Sequence, residues 1–343
     1  MKINMNIKIL TCFRIIYFPF TKEILYRVFN LSFLFLFSYD LSFAQVVNYP
    51  TRPIQFIVPF PAGSLTDVIA REVAEKASII LKQPIIIENR TGANGVIGAK
   101  YVMNSHPDGY NILINSNSHV ANYSLFKVPH YNPNKDFAPI TRIVGIPFVL
   151  MVRADLPVKT LSDLISLAKK NPSKLTYGSG NTSSRATVEF LKIKADIDLR
   201  FIPYRGMPQA MIDLMSSTID LVITDTSYIL EHGSSGKIRS IAVTTNERIP
   251  QLLAVPTFIE SGMTDYEMVG WIAAFASKNT SSEIITKLNN TFVQILNEQD
   301  LKIKFEKLGT YSSPTTPSNL NSFVDAETIK WARIHEFAGI EKQ

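Results

Sequence analysis

A chain of 343 residues is longer than one hydrophobic core usually organises, so its length predicts two domains. The formal net charge of +6 is modest, and half of it lies in residues 1–44, where five basic side chains stand against two acidic ones. The rest of the chain is only mildly basic and has no run of Lys or Arg, which argues against a nucleic-acid or membrane-surface partner.

The first 44 residues have the layout of a cleavable signal peptide. Basic residues precede the apolar run 31–37, and Ser42 and Ala44 are small residues at the two positions that a signal peptidase inspects. We predict cleavage before Gln45, because the alternative, an uncleaved membrane anchor, needs about 20 apolar residues. The single cysteine, Cys12, lies in this segment, so the mature chain is expected to lack disulfides, thiol nucleophiles and Cys-ligated zinc.

The first predicted element of the mature chain is a buried strand, 54–58, followed by a proline-containing loop and an amphipathic helix. Glycine in the loop permits backbone angles closed to other residues, and a hydroxyl residue can cap the helix. The first amides of a helix lack intrahelical acceptors and suit a carboxylate or phosphate. The alternative is an ordinary strand-to-helix turn that binds nothing. The predicted contacts are Ala62, Gly63, Ser64, Leu65, Thr66 and Asp67.

The next predicted strand, 84–88, runs through a glycine-rich turn into a helix of small and apolar residues, 96–103. The spacing of the glycines does not match the dinucleotide-binding fingerprint, which needs G-x-G-x-x-G and an acidic residue after the next strand. A third strand, 110–114, leads into a polar loop that contains Ser116 and Ser118. Because this loop also follows the carboxyl end of a strand, we expect both serines to line the same crevice.

Segment 136–152 is predicted to cross into a second lobe, where helix 161–170 and strand 175–177 precede a loop of small and hydroxyl residues. A helix, 185–195, follows, so the strand–loop–helix arrangement of the first lobe is repeated. Two helix N-termini, one from each lobe, are therefore predicted to face each other across a cleft. The expected contacts from this second loop are Ser179, Asn181, Thr182, Ser183, Ser184 and Arg185.

A further strand, 219–223, ends close to Asp225 at another carboxyl edge. Asp225 is interpreted either as the cap of the following segment or as a ligand contact. The run 267–276 is predicted to cross back to the first lobe. The amphipathic segments that close the chain are interpreted as packing helices, at 282–296, 300–308 and 318–337.

Several blocks in order along the chain carry a resemblance to a known family. They are 49–53 (Tyr-Pro-Thr-Arg-Pro), 58–67, 88–95 (Glu-Asn-Arg-Thr-Gly-Ala-Asn-Gly), 107–110, 135–139, 152–157, 203–206 and 255–262. In these blocks the sequence resembles the extracytoplasmic solute receptors of the tripartite tricarboxylate transporter family, often called Bug receptors. The likeness covers essentially the whole chain after the signal segment, and so many ordered blocks make it specific.

The resemblance implies an α/β fold of the two-lobed periplasmic binding protein type (type II-like), in which each lobe is a mixed sheet flanked by helices. The ligand cleft lies between the lobes, with lobe 1 expected at 45–146 plus 266–343 and lobe 2 at 147–265. It also implies a periplasmic receptor that grips a small carboxylate with loop amides and delivers it to membrane permease subunits. We expect a monomer without metal or cofactor.

Three departures from the family pattern concern the identity of the ligand. Ser64 stands where the family has a second glycine, Arg185 stands where a histidine is common, and Ser216-Ser217 replaces a Gly-Gly pair. Arg185 is a fixed cation that can pair with a second carboxylate. Closure is expected to occur by hinge bending near 145–149 and 269–273.

An exported enzyme on the same two-lobed scaffold is the alternative of a different class. The sequence contains no G-x-S-x-G, H-E-x-x-H or paired-histidine spacing, and catalysis needs a poised acid, base, nucleophile or metal. Among the histidines, His119 stands at the predicted crevice, and a surface or turn role is expected for it. A receptor that signals to a sensor kinase is a third hypothesis, which the sequence does not separate from the first.

Overall fold

The computed structural model describes residues 48–337 and 339–342. The predicted signal segment 1–44, with its cleavage site and Cys12, lies outside the described residues. The strands of the described chain are β1 (Ile54–Val58), β2 (Ile85–Asn89), β3 (Asn111–Ser116), β4 (Phe137–Ile146), β5 (Phe148–Arg153), β6 (Thr176–Ser179), β7 (Arg200–Pro203), β8 (Leu221–Asp225), β9 (Ile238–Val243), β10 (Gly270–Ser277) and β11 (Tyr311–Ser312).

Helices follow most of the strands, and several begin at a side chain that satisfies their first amides. Thr160 and Ser281 cap two helices in this way, as hydroxyl residues do at many helix starts. The α-helices of the described chain are α1 (Leu65–Leu81), α2 (Val96–Met103), α3 (Ser118–Leu125), α4 (Leu161–Lys170), α5 (Thr182–Ala195), α6 (Met207–Met215), α7 (Ser227–His232), α8 (Ser282–Leu296), α9 (Gln299–Lys307) and α10 (Pro317–Phe337).

The first sheet has the strand order β11-β4-β10-β3-β1-β2. Strand β1 runs parallel to both β2 and β3, with Ile57 opposite Leu113 in the register between β1 and β3. Strand β10 is antiparallel to β3 and β4, so the sheet is mixed. The carboxyl ends of β1, β2 and β3 consequently lie at one edge, and the loops that follow them meet there.

The second sheet has the order β7-β6-β8-β5-β9 and is also mixed. Strand β6 is parallel to β7 and β8, whereas β5 is antiparallel to β8 and β9. The loops after β6, β7 and β8 therefore lie at one edge of this sheet, as the corresponding loops do in the first sheet.

The chain passes between the two sheets twice. Pro147 alone separates β4 in the first sheet from β5 in the second, and the return occurs between Val243 and Gly270. The predicted lobe boundaries at 146/147 and 265/266 fall within these two passages and stay a prediction. Helix α10 packs against both α3, at the first sheet, and α5, at the second.

The apolar core is continuous across the two sheets. One cluster of buried side chains contains Ile57 and Leu113 from the first sheet together with Leu150 and Leu221 from the second, and α10 contributes to it through Trp331. Met207 and Met211 of α6 are buried in a smaller cluster with Val222 of β8. Burial of this kind of apolar surface is the main favourable term in folding.

The structure corrects the sequence prediction for residues 115–119. The predicted polar loop is the end of β3 followed directly by the start of α3, and His119 is fully buried, not at a surface or turn. The His119 ring lies 4.2 Å from that of Phe275 between centroids, and its Nε2 is 3.1 Å from the carbonyl oxygen of Pro133. Burial lowers the pKa of His119 to about 4, so the ring is neutral near pH 7.

Candidate ligand-binding cleft

The first candidate loop joins β1 to α1 and ends in a capped helix start. Gly63 has a φ of +80°, a left-handed angle that favours glycine. Ser64 is the N-cap of α1, and its Oγ accepts a hydrogen bond from the amide of Asp67 at 3.3 Å. The amides of Leu65 and Thr66 occupy the first two helical positions, where no preceding turn supplies an acceptor. The loop can therefore offer N–H donors and the positive end of the helix dipole to an anion.

The carboxylate of Asp67 holds this loop together. It is 1% exposed and accepts hydrogen bonds from the Gly63 amide at 2.9 Å, from Asn89 Nδ2 at 2.9 Å and from Arg71 Nε at 2.9 Å. Burial by itself raises the pKa of Asp67, but the hydrogen bonds from Arg71, Gly63 and Asn89, together with the charge of Arg71, hold that pKa below its usual range. Asp67 is thus an internal brace of the loop, which explains an acid beside a predicted anion site.

Ser116 and Ser118 lie at the carboxyl edge of the first sheet, at the end of β3 and the start of α3. Ser118 Oγ donates to Asn115 Oδ1 at 3.1 Å, and Ser116 Oγ donates to Ser118 Oγ at 3.4 Å. Asn115 is fully buried, so this hydrogen-bonded series fixes the two hydroxyls from inside the sheet. The predicted pair is therefore close together and held in place.

The loop that opens α5 repeats the arrangement of the first loop with other side chains. Asn181 is the N-cap, and its Oδ1 accepts from the Ser184 amide at 2.8 Å. Ser179 Oγ donates to the Asn181 carbonyl at 2.7 Å, and Thr182 is the first residue of α5. The hydroxyl of Ser184 donates to the carbonyl of Ile223, so it ties α5 to β8.

A cavity of about 350 Å³ lies where the two sheets' loops meet. On one side it is bordered by Ser116 and Ser118, and on the other by Asn181 and Ser183. Its full lining is Phe60, Asn94, Ser116, Ser118, Ala121, Asn181, Ser183 and Trp331. We call it the central cavity. Every one of these side chains is neutral, so a bound anion would be held there by hydrogen-bond donors and helix amides, not by a cationic side chain.

At the edge of the central cavity, a direct hydrogen bond joins a loop of the first sheet to a loop of the second. Asn117 Nδ2 donates to Ser183 Oγ at 3.1 Å, which joins the start of α3 to the start of α5. A second contact of this kind links the Thr226 hydroxyl to the Gly309 carbonyl at 2.5 Å. The two sets of loops are therefore in contact.

Arg185 lines a second cavity of about 400 Å³ that shares Asn94 and Asn181 with the central cavity. The Arg185 guanidinium lies over the Phe201 ring, with its central carbon 4.6 Å from the ring centroid. Ser179 also borders this second cavity. The positive charge predicted near the ligand is thus beside the central cavity, not in its wall.

The remaining predicted residues are placed differently. Ala62 and Gly63 are exposed and precede α1, and Phe60, two residues before Ala62, is the part of that loop that lines the central cavity. Asp225 accepts hydrogen bonds from the amide and hydroxyl of Ser227, the first residue of α7, but the N-cap position of that helix is Thr226. Its carboxylate is outside the lining of both cavities.

Sequence reasoning missed Phe60, Asn94, Ala121 and Trp331. Asn94 follows the carboxyl end of β2, and its Nδ2 donates to Asn122 Oδ1 at 2.8 Å, so its position after a parallel strand was a usable signal. Trp331 lies in α10, which the sequence presents as a packing helix. No local pattern marks it, because its neighbours in the cavity come from distant parts of the chain.

Other kinds of site gain no support within the described residues. The structure places no group of three or more His, Cys, Asp or Glu side chains there that could hold a metal ion. Across 48–337 and 339–342, no helix combines the length and apolar character that a membrane crossing requires. Burial lowers the pKa of His335 to about 4, and the nearby positive charge of Arg185 adds to this effect. The His335 ring is therefore neutral near pH 7.

Two mixed sheets joined by two chain passages, with a cavity between facing loop edges, define a protein with the two-lobed fold of periplasmic binding proteins. The predicted fold class is confirmed. The chain belongs to the tripartite tricarboxylate transporter family of receptors, whose sequence profile matches residues 69–340. This family is one of solute-binding receptors.

Named relatives share both sequence and fold with the chain. It is 32% identical to protein BugT of Bordetella pertussis (strain Tohama I) over 291 residues, which cover 84% of this chain and 89% of BugT. A solved R. palustris structure with adipate is 32% identical with a TM-score of 0.71, covering 85% of this chain and 98% of that one. MatC from Rhodopseudomonas palustris with bound malate is 28% identical with a TM-score of 0.67, covering 83% and 99%.

Proposed function

We propose that this protein is a periplasmic receptor that captures a small carboxylate in the central cavity and delivers it to a tripartite tricarboxylate-type membrane permease. The observation that carries the proposal is the central cavity itself, in which hydroxyl and amide side chains from both sheets meet next to helix N-termini. Two relatives with the same fold contain adipate and malate, which are both carboxylates.

The chemistry of the loops supports an anionic ligand. The first turn of α1 and the first turn of α5 each leave amide N–H groups without intrahelical acceptors. Because the Asp67 carboxylate is already satisfied by four donor groups, counting both Arg71 nitrogens, it does not present an open negative charge to the ligand. A carboxylate entering from the cleft would therefore meet donors and not a competing acid.

Ligand capture and closure are coupled in this proposal. A carboxylate held by donors from both lobes favours the conformation in which those donors converge, and the Asn117–Ser183 hydrogen bond forms only when the two loop sets are close. We expect the hinge to lie near 145–149, where the chain leaves the first sheet, and near 269–273, where it re-enters that sheet at β10. Closure then presents a loaded receptor to the permease.

Export to the periplasm and a monomeric state complete the proposed role. The basic and apolar layout of 1–44 supports export by a signal peptide, and membership of a receptor family supports a permease partner. A receptor that reports the same ligand to a signalling partner would use the same closed form. Uptake assays with and without the permease therefore distinguish delivery of the ligand from signalling.

A thermal-shift panel tests the proposed ligand class. We expect at least one probe among malate, succinate, adipate, citrate, glutamate, glutarate, hexanoate and benzoate to stabilise the protein. A ligand at about a hundred times its Kd adds about 2.7 kcal/mol of stability, which corresponds to roughly 4 °C in Tm for a folded chain of about 300 residues. Glutamate and glutarate form a matched pair that tests for an ammonium contact. No shift with any probe would overturn the carboxylate hypothesis.

Gly63→Val is expected to abolish binding while the protein stays folded. Gly63 has a φ of +80° and nothing within 4 Å of an added Cβ, so the cost is backbone strain of about 1–3 kcal/mol. The matched control is Gly236→Val, since Gly236 has a φ of +68° and equally open surroundings but precedes β9 and does not belong to the loop between β1 and α1. Calorimetry of both variants separates the effects. Equal loss or equal retention of affinity in the two would show that the first loop does not grip the ligand.

A further inference from the structure

Trp331 brings the C-terminal helix into the wall of the central cavity. Helix α10 packs against α3 on one side and α5 on the other, and both of these helices also line that cavity. One turn after Trp331, His335 lies 2.8 Å from the Ser124 hydroxyl through Nδ1, which fixes α10 against α3. Trp331 itself is 2% exposed, and its ring contacts that of His335 in a T-shaped arrangement with 5.6 Å between ring centroids. The indole ring is therefore a rigid part of the wall.

The lining of the central cavity has two chemical characters. Ser116, Ser118, Asn181 and Ser183 supply amide and hydroxyl groups, together with Asn94. The other lining residues are Phe60 and Ala121, which are apolar, and Trp331, whose ring is largely apolar and whose buried Nε1–H has no hydrogen-bond partner among the described residues. A ligand that fits this surface has a charged end that takes hydrogen bonds and a carbon skeleton that displaces water from the rings.

We propose that Trp331 is a specificity-determining residue whose indole ring packs against the carbon skeleton of the bound carboxylate. The ring selects ligands with an apolar alkyl or aromatic face, because a hydroxyl or charge pressed against it would lose its hydrogen bonds to water without replacement. This inference rests on the proposed function and adds to it the class of ligand skeleton. It assigns a ligand contact to a helix that otherwise serves only packing.

The chain offers a clean optical test, because Trp331 and Trp271 are its two tryptophans. Trp271 is fully buried, lies outside the cavity lining and donates through Nε1 to Glu327 at 3.1 Å. Trp271→Phe therefore leaves Trp331 as the sole indole fluorophore, and Trp331→Phe leaves Trp271. Saturating adipate, hexanoate or benzoate is expected to change the emission intensity of Trp271→Phe, because the ligand contacts an indole that is already shielded from water, and to leave the emission of Trp331→Phe unchanged.

Calorimetry of the same variants measures selectivity. Phenylalanine lacks the second ring of the indole, so Trp331→Phe is expected to raise the Kd of adipate, hexanoate or benzoate about three- to tenfold. The Kd of malate, whose short skeleton carries a hydroxyl, is expected to change less than twofold. Trp271 lies in the expected hinge segment, so Trp271→Phe should change the Kd of all four probes by the same factor. The ratio of the adipate Kd to the malate Kd should therefore stay at its wild-type value.

The outcomes separate this inference from the proposed function. If no carboxylate of the panel binds the wild type, both are overturned. If the wild type binds only malate, succinate or citrate, or if Trp331→Phe binds adipate, hexanoate and benzoate as the wild type does, the role of Trp331 alone is overturned. Should Trp331→Phe fail to fold, the wild-type ranking of probes and the emission of Trp271→Phe still decide between these results.

Discussion

Gly180→Ala is expected to disrupt the loop that opens α5 and to remove ligand binding. A Cβ built on Gly180 would lie 2.1 Å from the backbone carbon of Gly206 and 2.5 Å from the amide nitrogen of Met207. Backbone atoms cannot rotate away as a flexible side chain does, so the loops after β6 and β7 must separate. We expect a loss of about 3 kcal/mol or more in the free energy of unfolding, measured by urea or thermal denaturation.

The facing glycine supplies the control for this substitution. Gly206 has an ordinary extended backbone, with φ of −166°, and a Cβ added to it would meet its nearest neighbour, Pro208 Cδ, at 3.6 Å. Gly206→Ala should therefore change stability by less than about 1 kcal/mol and leave ligand affinity near the wild-type value. If Gly180→Ala proves as stable and as competent in binding as Gly206→Ala, the close approach of the two loops is not required for the site.

Asp67→Asn is expected to be the most destabilising neutralisation of an acid in the first lobe. The Asp67 carboxylate is buried and accepts hydrogen bonds from the Gly63 amide, Asn89 and Arg71. An asparagine at this position would lose the charge-assisted hydrogen bonds, and its own N–H groups would face these donors. Breaking a buried ion pair typically costs about 3–5 kcal/mol, and the half-exposed Arg71 reduces this to an expected loss of about 2–3 kcal/mol. Chemical denaturation at pH 7 measures it.

The pH dependence of that difference provides a second readout. The pKa of Asp67 is lower in the folded protein than in the unfolded chain, so its stabilising contribution is present above the unfolded pKa of about 3.9. The contribution is lost as the pH falls through the folded pKa. The stability gap between wild type and Asp67→Asn should therefore be full at pH 7 and shrink below about pH 4.

Asp163 gives a matched comparison on another helix. It also occupies the first turn of a helix and accepts from the Thr160 amide at 2.9 Å, but it is solvent-exposed in α4. Asp163→Asn should cost about 1 kcal/mol or less, as exposed capping residues usually do. Equal effects of the two substitutions would contradict the bracing role that we assign to Asp67.

The strand–loop–helix arrangements were predictable because their signals are local. A buried strand, a glycine or hydroxyl loop and an amphipathic helix are each encoded within about a dozen residues. Ser64 bonds to a residue three positions away, as does Asn181, so a capping pattern in the sequence is enough to place them. The error at 115–119 arose because β3 and α3 are stabilised by burial of residues such as His119 within a core assembled from distant strands.

The role of individual polar residues was less accessible. The sequence left Asp225 open between a cap and a ligand contact; in the structure it accepts hydrogen bonds from Ser227, and Thr226 occupies the N-cap position of α7. It placed Arg185 at the predicted second loop, and the structure adds that the guanidinium lies over Phe201 beside the central cavity. Such choices depend on which partners come within hydrogen-bond distance, and periodicity contains no information on that.

By itself the sequence determined the two-lobed α/β receptor fold, and it predicted two helix N-termini as the anion-binding elements. Only the tertiary structure decided how these parts meet: that Asn117 reaches Ser183 across 66 residues of sequence, and that Trp331 enters the wall of the same cavity. The physical reason is the range of the interactions. Caps and turns are hydrogen bonds between near neighbours in the chain, whereas the cavity is made by contacts whose partners are brought together by packing of the whole core.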